Sequence, residues 1–150
     1  MDAVRSAAQK YLNLITGNPL APSIRLQTLA NVLDELQFAT TKIPDGSPTF
    51  ADDEPKLRHK EYVEKIRENF PELGFYPNVF LSGGLEQLVT VGDANDDAAD
   101  IAKDLSAAMW YWEHFGEESA LQHLRYHYKI HWGRHLIDLR SYLYALIYES

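Results

Sequence analysis

The sequence predicts an all-α protein in which about five helices pack into one bundle and the last two form a long antiparallel hairpin. Apolar residues recur at helical spacing in residues 2–16 and again in residues 23–38. Two long helical segments, 93–115 and 117–148, follow one another with only Gly116 between them. Because helices joined by so short a connection pack side by side, these two segments are expected to form the hairpin.

The other elements are bounded by residues that start or end helices. A Gly-Asn-Pro run at 17–19 ends the first helix, and Pro22 suits the first turn of the second. Residues 40–55 are predicted to form a loop rich in Pro, Asp and Ser. Residues 56–70 form a strongly charged third helix, which is expected at the periphery because its apolar stripe is thin.

Residues 71–92 are the least regular part of the chain. They contain Gly83-Gly84, flanked by short apolar runs, and show no clear periodicity. Loop, short strand and helical turn all remain open for this stretch.

Composition limits the classes of protein and of chemistry. The 150 residues carry a formal net charge of −8 and no cysteine. This length fits a single helical domain over residues 1–150. The missing cysteines exclude disulfides, thiolate catalysis and Cys-ligated metal sites. The acidic balance disfavours nucleic acid as a partner, because binding to phosphates relies on cationic side chains.

Two further patterns indicate where the protein is expected to act. Residues 1–17 have no continuous apolar stretch of the kind found in secretory signals. No run approaches the roughly 18 apolar residues of a membrane span. We therefore expect a cytoplasmic protein without a membrane partner.

The last helix has apolar residues on two sides. One face is formed by Leu121, Leu124, Tyr128, Trp132, Leu136, Leu139, Tyr142, Leu143 and Leu146. The second face is formed by Tyr126, Ile130, Ile137, Tyr144 and Tyr148. A helix that is apolar on two sides is buried on two sides. We take it first as the central helix of the bundle; alternatively, the second face is an interface with another subunit, for which tyrosines are well suited.

Four histidines, His123, His127, His131 and His135, recur every four residues on the same helix. This spacing is typical of metal ligation, since His at i and i+4 can bind one ion. Four residues advance about 400°, so each step drifts about 40° around the helix and at most two of the histidines can share a ligand. The alternative is a solvated flank of histidines plus one core histidine, His135, with a hydrogen-bond partner.

The fourth helix offers carboxylate partners for these histidines. Five aspartates occupy twelve residues: Asp93, Asp96, Asp97, Asp100 and Asp104. The first two suit helix capping and the helix dipole, whereas the other three share one stripe. In an antiparallel hairpin, Asp100 or Asp104 can approach His135 or Arg134.

A carboxylate bonded to an imidazole can be a structural contact, part of a metal site or the orienting partner of a catalytic base. The candidate metal ligands are Asp97, Asp100, Asp104, His131 and His135. No nucleophile elbow or phosphate-binding loop is present, so no catalytic residue is assigned and no cofactor is expected beyond the alternative of a divalent metal.

Two segments carry a resemblance to a known family. Asp97-Ala-Ala-Asp-Ile-Ala-Lys-Asp-Leu105 and His131-Trp-Gly-Arg-His-Leu136 resemble the Asp-Ile-x-x-Asp-Leu and Trp-Gly-x-His-Leu segments of a bacterial family of small acidic helical proteins, known only as a domain of unknown function. The matching positions are Asp100, Asp104, Trp132, Gly133 and His135. The resemblance is clearest over residues 93–146. It implies an all-helical bacterial cytosolic domain and supplies no activity, cofactor or partner.

The matching positions also have a purely structural interpretation. Gly133 inside a helix costs about 1 kcal/mol relative to Ala, so a close approach by another helix or a bulky ring is expected there. Trp132 is predicted in the core, with its indole N–H bonded to a carboxylate. We therefore predict a polar network of Asp100, Asp104, Trp132 and His135 across the hairpin.

Two hypotheses about function follow. The first is a non-enzymatic protein that binds another protein or itself, as an adaptor, a regulator or an immunity-type partner, through the second face of the last helix. The second is a metal-binding protein or metal-dependent hydrolase that uses the Asp and His side chains between the last two helices.

Overall fold

A computed structural model describes residues 2–150. Six α-helical segments are present: α1 (Asp2–Thr16), α2 (Arg25–Thr41), α3 (His59–Asn69), α4 (Ala94–Phe115), α5 (Glu117–His127) and α6 (Gly133–Tyr148). A π-helical turn, Tyr128–Trp132, joins α5 and α6 into one continuous helix. Two short strands, β1 (Phe75–Asn78) and β2 (Thr90–Asp93), flank a 3₁₀ turn at Leu81–Gly83.

The predicted helical class is confirmed, with five helices packed together if α5 and α6 are counted as one. Residues 71–92, left open by the sequence, contain a β-hairpin in which Phe75 pairs with Asp93 and Asn78 with Thr90. The second helix runs beyond its predicted end at residue 38 to Thr41, because Ala39 and Thr40 are buried and continue its apolar face.

The central helix is α4, not the last helix. Helix α4 packs against α1, α3, α5 and α6, and it accepts a hydrogen bond from the Tyr11 hydroxyl at the Ala98 carbonyl, 2.7 Å away. The second apolar face of the last helix lies on the surface, where Ile130 is 60% exposed and Tyr148 is 62% exposed. The prediction of a central last helix is therefore wrong, and the alternative, an interface with another subunit on the second face, stays a prediction.

The π turn explains the glycine inside the last helix. The Gly133 N–H bonds to the Tyr128 carbonyl, five residues earlier, instead of the residue four positions back. A Cβ at position 133 would overlap that carbonyl oxygen and would lie 3.0 Å from the Tyr128 ring. The close approach that the sequence predicts at Gly133 thus comes from its own preceding turn.

None of the helices within residues 2–150 combines the length and the apolar character needed to cross a bilayer.

Candidate metal centre

Two histidines of the last helix are each held by a different aspartate of α4. His131, in the π turn, donates from Nδ1 to Asp104 Oδ2 at 2.6 Å. His135, one turn later in α6, donates from Nδ1 to Asp97 Oδ1 at 2.7 Å. The two histidines, four residues apart, share one face of the last helix, and the two aspartates, seven residues apart, share one face of α4. Because α4 and α6 pack side by side, these two faces lie against each other.

Asp97 is the most enclosed of these carboxylates. Its second oxygen accepts a hydrogen bond from the Tyr76 hydroxyl of β1, and the residue is 5% exposed. Burial raises the pKa of Asp97, although the hydrogen bonds from His135 and Tyr76 act in the opposite direction. Burial lowers the pKa of His135, but its bond to Asp97 and the negative charge of Asp100 outweigh this effect and raise it.

The two Nδ1–H bonds leave the Nε2 atoms of both histidines facing Asp100. Asp100 Oδ2 lies 3.2 Å from His135 Nε2 and 3.9 Å from His131 Nε2, and neither contact is a hydrogen bond. Donor atoms about 2.0–2.1 Å from one tetrahedral metal ion are about 3.3 Å apart. The contact of Asp100 with His135 has this spacing and that with His131 is wider, so the three groups could surround a single small cation once His131 moves inward.

A third histidine reaches the other side of Asp100. His59, the first residue of α3, places Nε2 at 2.9 Å from Asp96 Oδ1 and 3.7 Å from Asp100 Oδ1. This nitrogen is buried and forms no hydrogen bond. Each oxygen of Asp100 thus belongs to a set of three possible metal ligands. One set is Asp100, His131 and His135, and the other is His59, Asp96 and Asp100.

A further set of three, Asp96, Asp97 and His135, has donor atoms equally close together. Both oxygens of Asp97 already accept hydrogen bonds, one from His135 and one from Tyr76. We therefore regard Asp97 as a residue that orients a ligand rather than as a ligand.

The charge of this cluster is concentrated. Four aspartates, Asp96, Asp97, Asp100 and Asp104, lie along one side of α4, and within residues 2–150 their ion-pair partners are all histidines. With neutral imidazoles, four negative charges would face one another across a partly buried site. Protonation of the histidines or of a carboxylate, or a bound cation, would offset that repulsion.

The cluster opens on a cleft of about 370 Å³ between the β-hairpin and the last helix. His131, His135 and Asp96 line its wall, together with Arg134 and Phe80. Tyr76 holds the β-hairpin against α6 by stacking on Tyr142, with ring centroids 4.9 Å apart.

The predicted polar network is partly wrong. Asp100 and His135 do come together across the hairpin, but Asp104 bonds to His131. Trp132 does not contact an aspartate: its indole N–H donates to the Leu124 carbonyl at 3.1 Å. The reason is the π turn, which carries the Trp132 ring toward α5, where it is fully buried beside Tyr128.

The two earlier histidines of the series stand apart from the cluster. His123 is 2% exposed, stacks on Tyr111 with ring centroids 3.6 Å apart and donates from Nε2 to the Thr49 carbonyl at 2.7 Å. The expectation of a solvated position for His123 is wrong, because the loop around Thr49 covers it. Burial also lowers the pKa of His123. His127 donates from Nδ1 to the His123 carbonyl.

Among solved structures, protein BF1032 from Bacteroides fragilis has a similar fold, with a TM-score of 0.72 and 12% sequence identity. The match covers 99% of this chain and 90% of that one. No functionally curated protein matches the sequence. A family model, described as a domain of unknown function, DUF5063, matches residues 1–149. The resemblance read from the sequence is thereby confirmed at the level of the family, and the chain belongs to DUF5063.

Proposed function

We propose that the protein binds a divalent transition metal ion through His131 Nε2, His135 Nε2 and the carboxylate of Asp100. The observation that carries this proposal is the pair of Nδ1–H bonds to two separate carboxylates, Asp104 and Asp97. Metal-ligating histidines typically donate their other ring N–H to a carboxylate, which fixes the tautomer and raises ligand basicity.

The donor set indicates the class of metal and of site. Imidazole and carboxylate ligands without thiolate suit Zn²⁺, Mn²⁺, Fe²⁺, Co²⁺ or Ni²⁺. Three protein ligands leave a coordination position for water, which is typical of catalytic rather than structural sites. Since both histidines line the cleft, that position would be open to a substrate. Metal-assisted hydrolysis is the reaction class such a centre supports.

The proposal is tested by metal binding to the purified chain stripped with a chelator. We expect Zn²⁺ to bind in isothermal titration calorimetry, and His135→Ala to weaken its affinity by at least about 100-fold, because a ligand is lost and Asp97 is left without its partner. His114→Ala is the matched control, since His114 is an exposed histidine near the end of α4 that stacks on Trp110. Equal Zn²⁺ affinity in the wild type and His135→Ala would contradict the proposal.

A specific observation also favours a second candidate function, self-association through the β-hairpin. Residues 75–92 contain a single charged residue, Glu86, in a chain of which 24% is charged. Large apolar side chains on this segment face outward, and Leu81 is 79% exposed. The full set is Phe75, Val79, Phe80, Leu81, Leu85, Leu88, Val89 and Val91. Exposed apolar patches of this kind mark interaction sites.

A second copy of the chain is the occupant that charge favours. The net charge of −8 makes two copies repel one another over most of their surface. Contact between two β-hairpins avoids this repulsion, because each contains only one charged residue. The two-stranded sheet also has unpaired outer edges, which can form hydrogen bonds with the same edge of a symmetric partner. Ile130, on the second face of the last helix, lines the same cleft as Phe80 and extends this surface.

Self-association is tested by sedimentation or light scattering across a range of concentrations. We expect a dimer that Leu81→Lys converts to a monomer, because a charge on the hairpin must then be desolvated in the interface. Phe115→Lys, at an exposed position at the end of α4 away from the β-hairpin, is the control. Ile137→Lys tests the second face of the last helix separately. A wild-type monomer at all concentrations would exclude this candidate.

A further inference from the structure

We infer that Asp100 bridges two metal ions, with a second divalent ion bound by His59, Asp96 and the Oδ1 atom of Asp100. This inference rests on the proposed metal function and adds a second ion to it. The first ion lies on the Oδ2 side of Asp100, where His131 and His135 converge. The second lies on the Oδ1 side, between α3 and α4.

The state of His59 is the first argument. Its Nε2 is buried and lies within hydrogen-bonding distance of Asp96 Oδ1, 2.9 Å away, yet forms no hydrogen bond. A buried nitrogen without a hydrogen bond is costly, and in the tautomer with its proton on Nδ1 the lone pair of Nε2 is repelled by the carboxylate oxygen that it faces. A cation between His59, Asp96 and Asp100 would satisfy all three groups.

The spacing of the donor atoms is the second argument. Each set of three has its donor atoms within 4.8 Å of one another, and across residues 2–150 no set of four does. Ligands on opposite sides of one ion, with bonds of about 2.1 Å, are only about 4.2 Å apart. A single coordination sphere therefore does not reach His59 and both histidines of the last helix in this arrangement.

The carboxylate of Asp100 has the geometry of a bridge. Its Oδ1 atom is 3.7 Å from His59 Nε2, and its Oδ2 atom is 3.2 Å from His135 Nε2. One carboxylate with a donor set on each oxygen is the arrangement that holds two ions about 3.5–4 Å apart in two-metal sites. Its position on the central helix α4 gives Asp100 access to both α3 and α6.

Charge balance is the third argument. The cluster contains four carboxylates, those of Asp96, Asp97, Asp100 and Asp104, and their ion-pair partners within residues 2–150 are histidines alone. Two divalent cations with neutral imidazoles bring the total charge of these groups to zero. One divalent cation leaves two negative charges uncompensated in a partly buried site.

The test is the number of Mn²⁺ ions bound by the full chain, measured by elemental analysis after equilibrium dialysis, with electron paramagnetic resonance of the same samples. We expect two ions per wild-type chain and the exchange-coupled spectrum of a bridged pair. His59→Ala is expected to retain one ion with the spectrum of isolated Mn²⁺. Asp96→Asn, at a more exposed ligand of the same set, is expected to behave in the same way and guards against misfolding of His59→Ala.

The control variant is His114→Ala, which should keep both ions. One ion in the wild type that His135→Ala removes and His59→Ala leaves in place would overturn the second site and keep the proposed function. Two ions that persist in both His59→Ala and Asp96→Asn would also overturn it, because the second ion would then lie elsewhere. No bound ion in the wild type would overturn both proposals.

Discussion

Asp100→Asn is expected to abolish metal binding to the whole cluster and with it all stabilisation of the fold by metal. Among residues 2–150, Asp100 is the one residue whose carboxylate lies between His131, His135 and His59. An amide at this position keeps the shape of the side chain but removes the charge and one of the two ligating oxygens. A metal ion that binds only the folded state stabilises it by about 2.7 kcal/mol when its free concentration is 100 times its Kd.

The measurement is the free energy of unfolding in denaturant, with Zn²⁺ and with a chelator. Wild-type protein should gain about 2–3 kcal/mol with Zn²⁺ near that concentration, whereas Asp100→Asn should gain nothing. Without metal the variant should be at least as stable as wild type, since one of four clustered negative charges has been removed. Comparing stability with and without Zn²⁺ therefore distinguishes a variant that has lost the metal site from one that has lost its fold.

Asp52→Asn is the matched control, because Asp52 is an exposed carboxylate in the loop before α3. It should leave the stabilisation by Zn²⁺ unchanged. If Zn²⁺ stabilises Asp100→Asn as much as wild type, Asp100 is not a ligand, and the metal proposal fails at its central residue.

The helices and the meeting of aspartates with histidines could be predicted from the sequence. Helical periodicity places α1 at its observed bounds and α4 within one residue of them. A connection of one residue, Gly116, forces the last two helices to pack side by side. Once they do so, Asp100 and His135 lie at similar heights, since Asp100 is 16 residues before Gly116 and His135 is 19 residues after it.

The second half of the cluster could not be predicted, because it depends on tertiary packing. His59 begins a charged helix whose thin apolar stripe predicts a peripheral position but does not indicate which helix it packs against. Its approach to Asp96 results from the packing of α3 on α4. The spacing of residues along the chain does not predict which helices pack together. The only hint is that His59 is the one histidine outside residues 114–135.

The π turn is the main reason why individual contacts were predicted wrongly. A constant advance of about 100° per residue assigns every side chain of the last helix to a face. One extra residue in a turn changes the direction in which all later side chains of the helix point, relative to the side chains before the turn. The rule of a constant advance therefore predicts that Trp132 faces the aspartates, whereas its ring faces α5 and its indole N–H donates to the Leu124 carbonyl. Gly133 indicates an irregularity at this point in the sequence, although not that it is a π turn.

Gly133→Ala is expected to destabilise the protein, against the usual trend for helices. In an ordinary helix this substitution stabilises by about 1 kcal/mol. Here the new Cβ would overlap the Tyr128 carbonyl oxygen, a backbone atom that cannot move without opening the π turn. Overpacking of this kind typically costs about 1–3 kcal/mol, so a net loss of stability of that size is expected.

The same substitution should also weaken Zn²⁺ binding, by at least about 10-fold, because the π turn contains His131 and precedes His135. If the chain relieves the overlap by forming a regular α-helical turn, His135 rotates away from Asp100 relative to the residues before the turn. Ser141→Ala, an exposed substitution later in α6, is the control for helix propensity: it should raise stability slightly and leave Zn²⁺ affinity unchanged. Unfolding in denaturant and calorimetry with Zn²⁺ measure the two effects. A gain in stability with wild-type affinity would show that Gly133 is tolerated in this helix rather than required by the π turn.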